Sequence, residues 1–309
     1  MLTSRDETRH GSLAGIDLQI LEELRADGRI TANDLADRVG VSRTAAARRL
    51  GQLLDEDIVR VVGIVHPLTL GIRSLAHVSL TVDKPVRRVG ETLGAMPEVP
   101  FVSLASGSFP LIAEVRARDD AELAAVLDRV RSVDGVLATE TLYYTSLAVD
   151  VLRPAQATDV EIDRVDAKIL SHLQFDGRMP FTALAEKVGV STGTARTRVL
   201  RMIDNGVVRI GAIVRTGRRE SRIDVGVGIT LRGPVSQAGD LLVEMPEVRF
   251  LAETLGRYDL LATIDANSLT DAVSVLDRLR AMRSVLRIDS WVHLDTVKES
   301  YHYPMEVRP

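Results

Sequence analysis

Two short stretches of this chain combine arginine, serine and threonine in a pattern that suits contacts with DNA. An arginine can donate two parallel hydrogen bonds to guanine, and a threonine can contact a base through its hydroxyl or its methyl group. A serine at the start of a helix adjoins free backbone N–H groups that can hold a phosphate. The residues predicted to contact DNA are Ser42, Arg43, Thr44, Arg48 and Arg49 in the first stretch, and Ser191, Thr192, Thr194, Thr197, Arg198 and Arg201 in the second.

A third stretch, around Gly256, has the chemistry to bind a small zwitterion. Its glycine allows close backbone approach, Asp259 can pair with an ammonium group, and exposed backbone N–H groups can hold a carboxylate. Because an amino acid carries both charges, the stretch predicts an amino-acid site; the alternative is an ordinary hairpin turn. The predicted effector-binding residues are Glu253, Thr254, Gly256, Arg257, Tyr258, Asp259 and Leu260.

Other chemistry finds little support in the sequence. The chain has no cysteine, which removes disulfides, thiolate metal sites and cysteine nucleophiles. Its six histidines form no pair at metal-ligating spacing. No glycine-rich phosphate loop follows a strand, and no Gly-x-Ser-x-Gly motif occurs. We therefore expect no cofactor, no metal and no enzymatic activity.

These stretches belong to a duplicated chain. Asp17 and Asp166 open similar segments 149 residues apart, and the same offset relates Gly28 to Gly177. The spacing holds without an insertion or deletion, so the repeated unit is of domain size and not a short solenoid repeat. The function must suit two similar copies, and differences between the copies are informative.

The first part of each repeat predicts three short helices. In the first copy, Ile16, Ile20 and Leu24 recur at helical spacing, and Gly28 then breaks the pattern. A glycine-containing turn precedes Ser42, which can cap a third helix. Three such helices followed by strands are typical of a winged helix-turn-helix. The alternative is a small helical bundle without a ligand.

The second part of each repeat alternates between strand and helix patterns. Residues 77–82 show the period of a strand, residues 86–96 and 121–130 are helical, and the segments between and after them read as strands. The order β-α-β-β-α-β is the ferredoxin-like motif, a sheet with helices on one face. We expect its bare face to be covered by the equivalent sheet, from the same chain or from another.

The predicted fold class is therefore α+β, with two copies of a winged helix-turn-helix followed by a ferredoxin-like βαββαβ (RAM-type) domain. A stretch with Pro154 and small or polar neighbours is the natural linker between the copies. The predicted boundaries are 12–66 and 162–215 for the winged domains, 72–149 and 221–299 for the ferredoxin-like domains, and 150–161 for the linker.

Charge is uneven along the chain. The net charge is −4, yet residues 187–219 hold eight basic side chains and one acidic one, whereas the matching residues 38–70 hold five and three. A local basic patch on an acidic protein is expected of a polyanion-binding surface, although a solvated helix face would look the same. The sequence shows no signal peptide and no membrane-spanning apolar stretch, so we expect a cytoplasmic protein.

The motifs together resemble the Lrp/AsnC family of bacterial and archaeal transcriptional regulators, also called feast/famine regulators. The resemblance rests on Asp-x-x-Ile-Leu, Asp-Gly-Arg, Leu-Ala-x-x-Val-Gly-Val-Ser and an arginine-bearing helix, and it covers nearly the whole chain twice. It implies double-stranded DNA as a partner. It also implies a C-terminal domain that forms homo-oligomers and senses a small effector, often an amino acid.

The resemblance also bears on the stretch around Gly256, which looks like the Gly-x-Tyr-Asp loop that the family uses near its effector. In the first repeat Pro110 replaces Asp259, removing a carboxylate and a backbone N–H. We therefore expect the first pocket to be altered or inactive as an amino-acid site.

Two alternatives stay open. Some proteins of this architecture decarboxylate sirohaem, and Phe175, Pro180 and Phe181 give partial similarity to that group. The other alternative is an effector sensor or assembly protein that does not bind DNA.

Overall fold

The computed structural model describes residues 15–150, 160–214, 223–300 and 302–303. Each repeat has three helices and a strand followed by a β-α-β-β-α-β unit, which confirms the predicted fold class. The first repeat consists of α1 (Ile16–Ala26), α2 (Ala32–Val39), α3 (Arg43–Asp55), β1 (Val59–Val65), a short 3-10 helix (Pro67–Leu70), β2 (Ser74–Val82), α4 (Val86–Gly94), β3 (Phe101–Ala105), β4 (Leu111–Ala117), α5 (Asp120–Arg131) and β5 (Val136–Val149). The second consists of α6 (Arg164–Leu173), α7 (Phe181–Val188), α8 (Thr192–Asp204), β6 (Val208–Val214), β7 (Ile223–Leu231), α9 (Val235–Val243), β8 (Val248–Leu255), β9 (Leu260–Ala266), α10 (Leu269–Arg280) and β10 (Val285–Glu299).

Some predicted features lie outside the described residues. They are residues 151–159 of the predicted linker, residues 12–14 and 221–222 of the predicted domains, and three arginines of the predicted basic patch, Arg215, Arg218 and Arg219.

Local signals set the tight turn between the second and third helices of each winged domain. Gly40 ends α2 in the left-handed conformation, with φ of 75°. Ser42 then begins α3 by accepting the backbone N–H of Ala45 at 3.2 Å. Gly189 and Ser191 occupy the equivalent positions around α8. The turn therefore fixes the approach of the third helix to the second in both repeats.

The two winged domains are joined by a strand ladder. Strands β1 and β6 pair antiparallel over their whole length, from Val59 opposite Val214 to Val65 opposite Val208. Buried side chains of α1, α6, β1 and β6 belong to one continuous hydrophobic core. The two winged domains therefore form one packed body within a single chain.

Two arginines reinforce this junction reciprocally. Arg29 donates hydrogen bonds to the backbone carbonyl oxygens of Gly177 and Met179, both at 2.7 Å. Arg178 donates to the carbonyl oxygens of Gly28 and Ile30, at 2.7 and 3.1 Å. The Asp-Gly-Arg segment of each repeat thus holds the other repeat. Burial lowers the pKa of both arginines.

The ferredoxin-like units close into one barrel. The strand order is β10-β3-β4-β2-β5-β8-β9-β7, and all neighbours are antiparallel. The first unit joins the second through the β5–β8 and β3–β10 pairs. The bare faces of the two sheets therefore cover each other within one chain.

The strands of the barrel present different residues to its two sides. On β2, Val78 and Leu80 pack outward against α4 and α5, while His77 and Ser79 face the interior, called the lumen below. The second unit has its own outer core, built around Val227 of β7. Because side chains alternate along a strand, each strand serves both the outer core and the lumen.

Among the described residues, no helix is long and apolar enough to cross a membrane. The same part of the chain contains no cluster of side chains that could hold a metal ion.

Candidate nucleic-acid interface and effector cavity

The third helix of the first winged domain presents part of its predicted DNA-binding set to solvent. Ser42, Arg43, Thr44 and Arg48 are exposed. Thr44 and Arg48 lie one turn apart on α3, so their side chains point to the same side of the helix. The Arg43, Thr44 and Arg48 side chains are therefore open to solvent, whereas the Ser42 hydroxyl caps the helix by accepting the backbone N–H of Ala45.

Arg49 has a partner inside its own domain. Its Nε and Nη2 atoms donate to the two carboxylate oxygens of Asp17 on α1, each at 2.5 Å. Asp17 is buried, with 4 % of its surface exposed, and the hydrogen bond to it raises the pKa of Arg49. Arg49 therefore ties the third helix to the first, and its predicted DNA contact stays a prediction.

The second winged domain repeats and extends this arrangement. Arg198, the counterpart of Arg49, contacts Asp163 at 2.6 Å and Asp166 at 2.9 Å. Arg201 also donates to Asp166, which is 1 % exposed. DNA contacts by Arg198 and Arg201 likewise stay predictions, because both arginines hold the buried carboxylate.

The remaining predicted residues of α8 are exposed. Ser191 caps the helix, and its hydroxyl lies 2.8 Å from that of Thr194. Thr192 and Thr197 are exposed, and they occupy the positions of Arg43 and Arg48 in the first repeat. The exposed surfaces of the two third helices therefore differ at these two positions, which hold arginines in α3 and threonines in α8.

One exposed basic residue on α8 was absent from the predicted set. Arg196 lies on α8 next to the buried Ala195 and is exposed. Its contribution to the basic charge of the segment was the available signal. The first repeat has Ala47 at this position, so Arg196 adds charge to the second winged domain alone.

The loop between β8 and β9 holds its shape through its own side chains and backbone. The Thr254 hydroxyl donates to the carbonyl oxygen of Tyr258 at 2.6 Å. The Asp259 carboxylate accepts the backbone N–H of Leu231 at 2.7 Å. Gly256 has φ of 141°, and a Cβ there would lie 2.7 Å from Leu142. Thr254, Gly256 and Asp259 thus shape the loop, and Glu253 and Leu260 precede and follow it on the strands.

Arg257 and Tyr258 are the predicted effector residues that line a cavity. The Tyr258 hydroxyl donates to Asp289 at 2.9 Å. Arg257 donates to the same carboxylate at 3.2 Å, and its guanidinium lies 3.5 Å from Glu140. Burial and the hydrogen bond to Asp289 raise the pKa of Tyr258 to about 12. The side chains that face the cavity thus include one guanidinium and two carboxylates.

This space, here called the mouth cavity, lies at the end of the barrel where the β3–β4 and β8–β9 loops meet. Its volume is about 310 Å³. Both repeats line it, so the loop containing Gly107 and the loop containing Arg257 contribute to one cavity and not to two separate pockets. Its lining residues are Ser79, Ser106, Gly107, Ser108, Phe109, Ile112, Glu140, Arg257, Tyr258, Ile288, Asp289, Ser290 and Trp291.

A second space, the inner cavity, lies in the lumen on the side away from those loops and has a volume of about 100 Å³. Aromatic rings and buried charges line it. Burial lowers the pKa of His77 to about 3, so this histidine is neutral near pH 7. Arg116 pairs with Glu114 and with Asp150, and burial raises the pKa of Glu114. Ile112 and Trp291 line both cavities and form the wall between them.

Models of known protein families match both the helical part and the α/β part of each repeat. The AsnC-type helix-turn-helix domain matches residues 162–203, and the winged helix-turn-helix DNA-binding domain matches residues 13–60. The Lrp/AsnC ligand binding domain matches residues 75–150 and 225–303, which together make up half of the chain. The chain belongs to the Lrp/AsnC family. The predicted family resemblance is thereby confirmed.

Relatives of known sequence match the length of one repeat. An uncharacterised HTH-type transcriptional regulator of Pyrococcus abyssi (strain GE5 / Orsay) is 29% identical over 143 residues, covering 45% of this chain and 90% of that protein. The HTH-type transcriptional regulator LysM of Saccharolobus solfataricus (strain ATCC 35092 / DSM 1617 / JCM 11322 / P2) is 28% identical over 138 residues, covering 45% of this chain and 97% of that protein. This member of the family is therefore similar to two such regulators in tandem.

A solved structure shares the whole tandem architecture. The siroheme decarboxylase NirDL, in complex with an iron-uroporphyrin III analogue, aligns with 93% of this chain and 95% of its own at a TM-score of 0.62. At 16% identity this likeness concerns the fold alone. It nevertheless overturns the expectation, drawn from sequence motifs, that an enzyme is excluded. The same arrangement of domains carries a decarboxylase, and absent motifs of other enzyme classes do not bear on that chemistry.

Proposed function

We propose that this Lrp/AsnC-type transcriptional regulator binds an asymmetric operator through both of its winged helices at once. The observation that carries the proposal is the β1–β6 ladder with its reciprocal arginine contacts. A continuous ladder and a shared core resist relative rotation of the two domains. The distance between the two third helices, α3 and α8, is therefore set within one chain, whereas a single-repeat relative has one such helix per chain.

The difference between the third helices supports asymmetry of the operator. Arg43 and Arg48 of the first helix can bind guanine or phosphate, whereas Thr192 and Thr197 of the second offer hydroxyl and methyl groups. Identical helices would suit a palindrome, and different helices suit two unlike half-sites.

The proposed effector is an amino acid that binds in the mouth cavity. Arg257 can donate hydrogen bonds to the ligand carboxylate, while Glu140 and Asp289 can accept hydrogen bonds from its ammonium group. In the structure both carboxylates pair with Arg257. Ligand binding would rearrange contacts between both ferredoxin-like units, since Glu140 belongs to the first and Asp289 to the second. An effector shifts DNA affinity only if it binds two arrangements of the protein unequally.

Assembly into homo-oligomers through the outer faces of the ferredoxin-like domains remains part of the proposal. The barrel closes within one chain, so any further assembly must use another surface. Sedimentation equilibrium over a range of protein concentrations measures the number of chains directly, with and without DNA.

Fluorescence anisotropy of a labelled DNA fragment from upstream of the protein's own gene tests the function. The titration is run across a salt series, with each amino acid present or absent in turn and with excess competitor DNA. We expect binding that weakens with salt, survives the competitor and changes with one amino acid. Binding without sequence preference at every salt concentration would contradict the proposal and make tetrapyrrole binding the next measurement.

A further inference from the structure

We infer that the effector of the mouth cavity is an amino acid with an aromatic side chain, whose charged end binds at Arg257 and whose ring packs against Trp291. This inference rests on the proposed function, because it specifies the ligand of the same site. The mouth cavity separates the two chemistries that such a ligand requires. Its charged groups lie at the loops and strand ends, and apolar side chains form the wall toward the inner cavity.

The charged end of the cavity is preorganised around Arg257. The guanidinium carbon lies 5.0 Å from the centre of the Tyr258 ring and 5.7 Å from that of Phe109. The two rings come from the two hairpin loops, so the arginine is held between the repeats. Cation–π contacts restrict the guanidinium and leave its N–H groups to a carboxylate. A ligand carboxylate then meets a fixed donor.

Two carboxylates complete the charged end. Glu140 and Asp289 occupy equivalent positions in the two repeats and approach Arg257 from opposite strands. Asp289 also receives Arg287 at 3.2 Å and the Tyr258 hydroxyl. One carboxylate can therefore leave Arg257 for the ligand ammonium while the other stays in place. The α-amino and α-carboxyl groups of one amino acid fit this set of groups.

The apolar end of the cavity is built around the indole of Trp291. Gly226 on β7 makes room for it, because a Cβ on this glycine would lie 2.1 Å from the indole ring. Ile112 extends the apolar surface, whereas the Ile288 side chain packs into the outer core. The indole N–H is buried and has no hydrogen-bond partner among the described residues. An aromatic ring can stack on the indole, whereas an aliphatic side chain cannot.

The distribution of aromatic residues agrees with this assignment. The chain has one tryptophan, five tyrosines and five phenylalanines. Three of these rings line the mouth cavity, and three more line the inner cavity beyond Trp291 and Ile112. In a chain poor in aromatic residues, more than half of the rings therefore surround the lumen. The six rings belong to Phe101, Phe109, Tyr144, Phe250, Tyr258 and Trp291.

The single tryptophan makes the test direct. Trp291 emission, excited where tyrosine and phenylalanine do not absorb, is followed while L-phenylalanine is added to the full chain, and calorimetry on the same sample gives the affinity independently. We expect a saturable change in emission and a matching heat of binding. L-Leucine should bind about 2- to 10-fold more weakly, the factor that aromatic stacking contributes.

Ligand analogues and paired variants assign the contacts. Phenethylamine lacks the carboxylate and 3-phenylpropionate lacks the ammonium, and each should bind about 10- to 100-fold more weakly than L-phenylalanine. Arg257→Ala should cause a similar loss. Arg287→Ala is the matched control, since Arg287 pairs with the same Asp289 but does not line the cavity. A thermal unfolding curve for each variant shows whether a loss of binding reflects a loss of fold.

The possible failures are distinguishable. Binding of L-leucine or L-lysine at Trp291 with no binding of L-phenylalanine would overturn the aromatic assignment and leave the amino-acid site standing. Heat and emission changes that persist in Arg257→Ala would place the ligand elsewhere in the lumen and overturn the inference. The absence of binding by any amino acid would overturn both the inference and the proposed effector, whereas DNA binding is measured separately.

Discussion

The two repeats share their backbone plan but differ in the side chains that face the lumen. His77 and Ser79 of β2 project into it, whereas the equivalent residues of β7 are Gly226 and Gly228. The glycines admit the rings of Trp291 and Tyr258 against the strand. The outward-facing residues of the same strands are apolar in both repeats. Folding requires the outer cores twice, but the lumen is shared, so its two walls can diverge into one asymmetric site.

In the winged domains, too, some side chains are shared by the two repeats and others differ. The contact between a buried aspartate and an arginine of the third helix occurs in both, as Asp17 with Arg49 and Asp166 with Arg198. The exposed residues of those helices are not shared. Contacts that position the helix are retained between the copies, and residues that can touch a partner vary.

Substitutions at the junction between the two winged domains should cause the largest loss of stability. Replacing Gly28 by alanine puts a Cβ 2.8 Å from backbone atoms of Ile210 and Gly211, which cannot rotate away. We expect the free energy of unfolding to fall by about 3 kcal/mol, measured by urea denaturation. Gly51→Ala is the control, because nothing lies within 4 Å of its added Cβ. Equal stability of the two variants would show that the β1–β6 ladder tolerates separation.

The loss of stability on replacing each buried aspartate should increase with the number of arginines that it binds. Asp166 binds two arginines and Asp17 binds one. We expect Asp166→Asn to cost about 2 kcal/mol of stability and Asp17→Asn about 1 kcal/mol, values reduced because the arginines are partly exposed. Thermal unfolding of both variants measures the order. The reverse order would mean that Arg201 contributes nothing to the second domain.

The lumen histidine should make stability depend on pH. The pKa of His77 is about 3 in the folded protein and about 6.5 in an unfolded chain. The unfolded state therefore binds more protons between these values, and the contribution of neutral His77 is full above pH 6.5 and is lost as the pH falls toward 3. Between these pH values, the free energy of unfolding should change by up to about 1.4 kcal/mol per pH unit because of this residue. Urea denaturation at several pH values should show a shallower slope in His77→Gln, and an unchanged slope would assign the effect elsewhere.

The smallest effects should come from single exposed residues of the third helices. Arg48→Ala should weaken operator binding about 10-fold if the side chain contacts guanine, and it should leave stability unchanged. Thr197→Ala, at the equivalent position, should have a smaller effect. Arg131→Ala on the outer helix α5 is the control. Anisotropy titrations in a salt series also show whether Arg48 contacts phosphate, because the salt slope then falls by about one.

Some partners could not be found by periodicity. The sequence predicted DNA contacts for Arg49, Arg198 and Arg201, but helical spacing does not reveal a buried aspartate on another helix. The loop around Gly256 was recognised, yet Asp259 caps a strand end and Arg257 and Tyr258 line the cavity. The first-repeat loop, expected to form a pocket of its own, shares that cavity. Each difference concerns residues far apart in the chain.

The sequence by itself determined the repeats, the helices with their caps, the order of helices and strands along the chain, and the family. These depend on periodicity and on residues close together in the chain. The tertiary structure alone decided that the winged domains join through β1 and β6, that the barrel closes within one chain, and that two loops form one cavity. A strand pattern states which face is apolar but not which strand will cover it. That choice depends on packing between segments separated by a whole repeat.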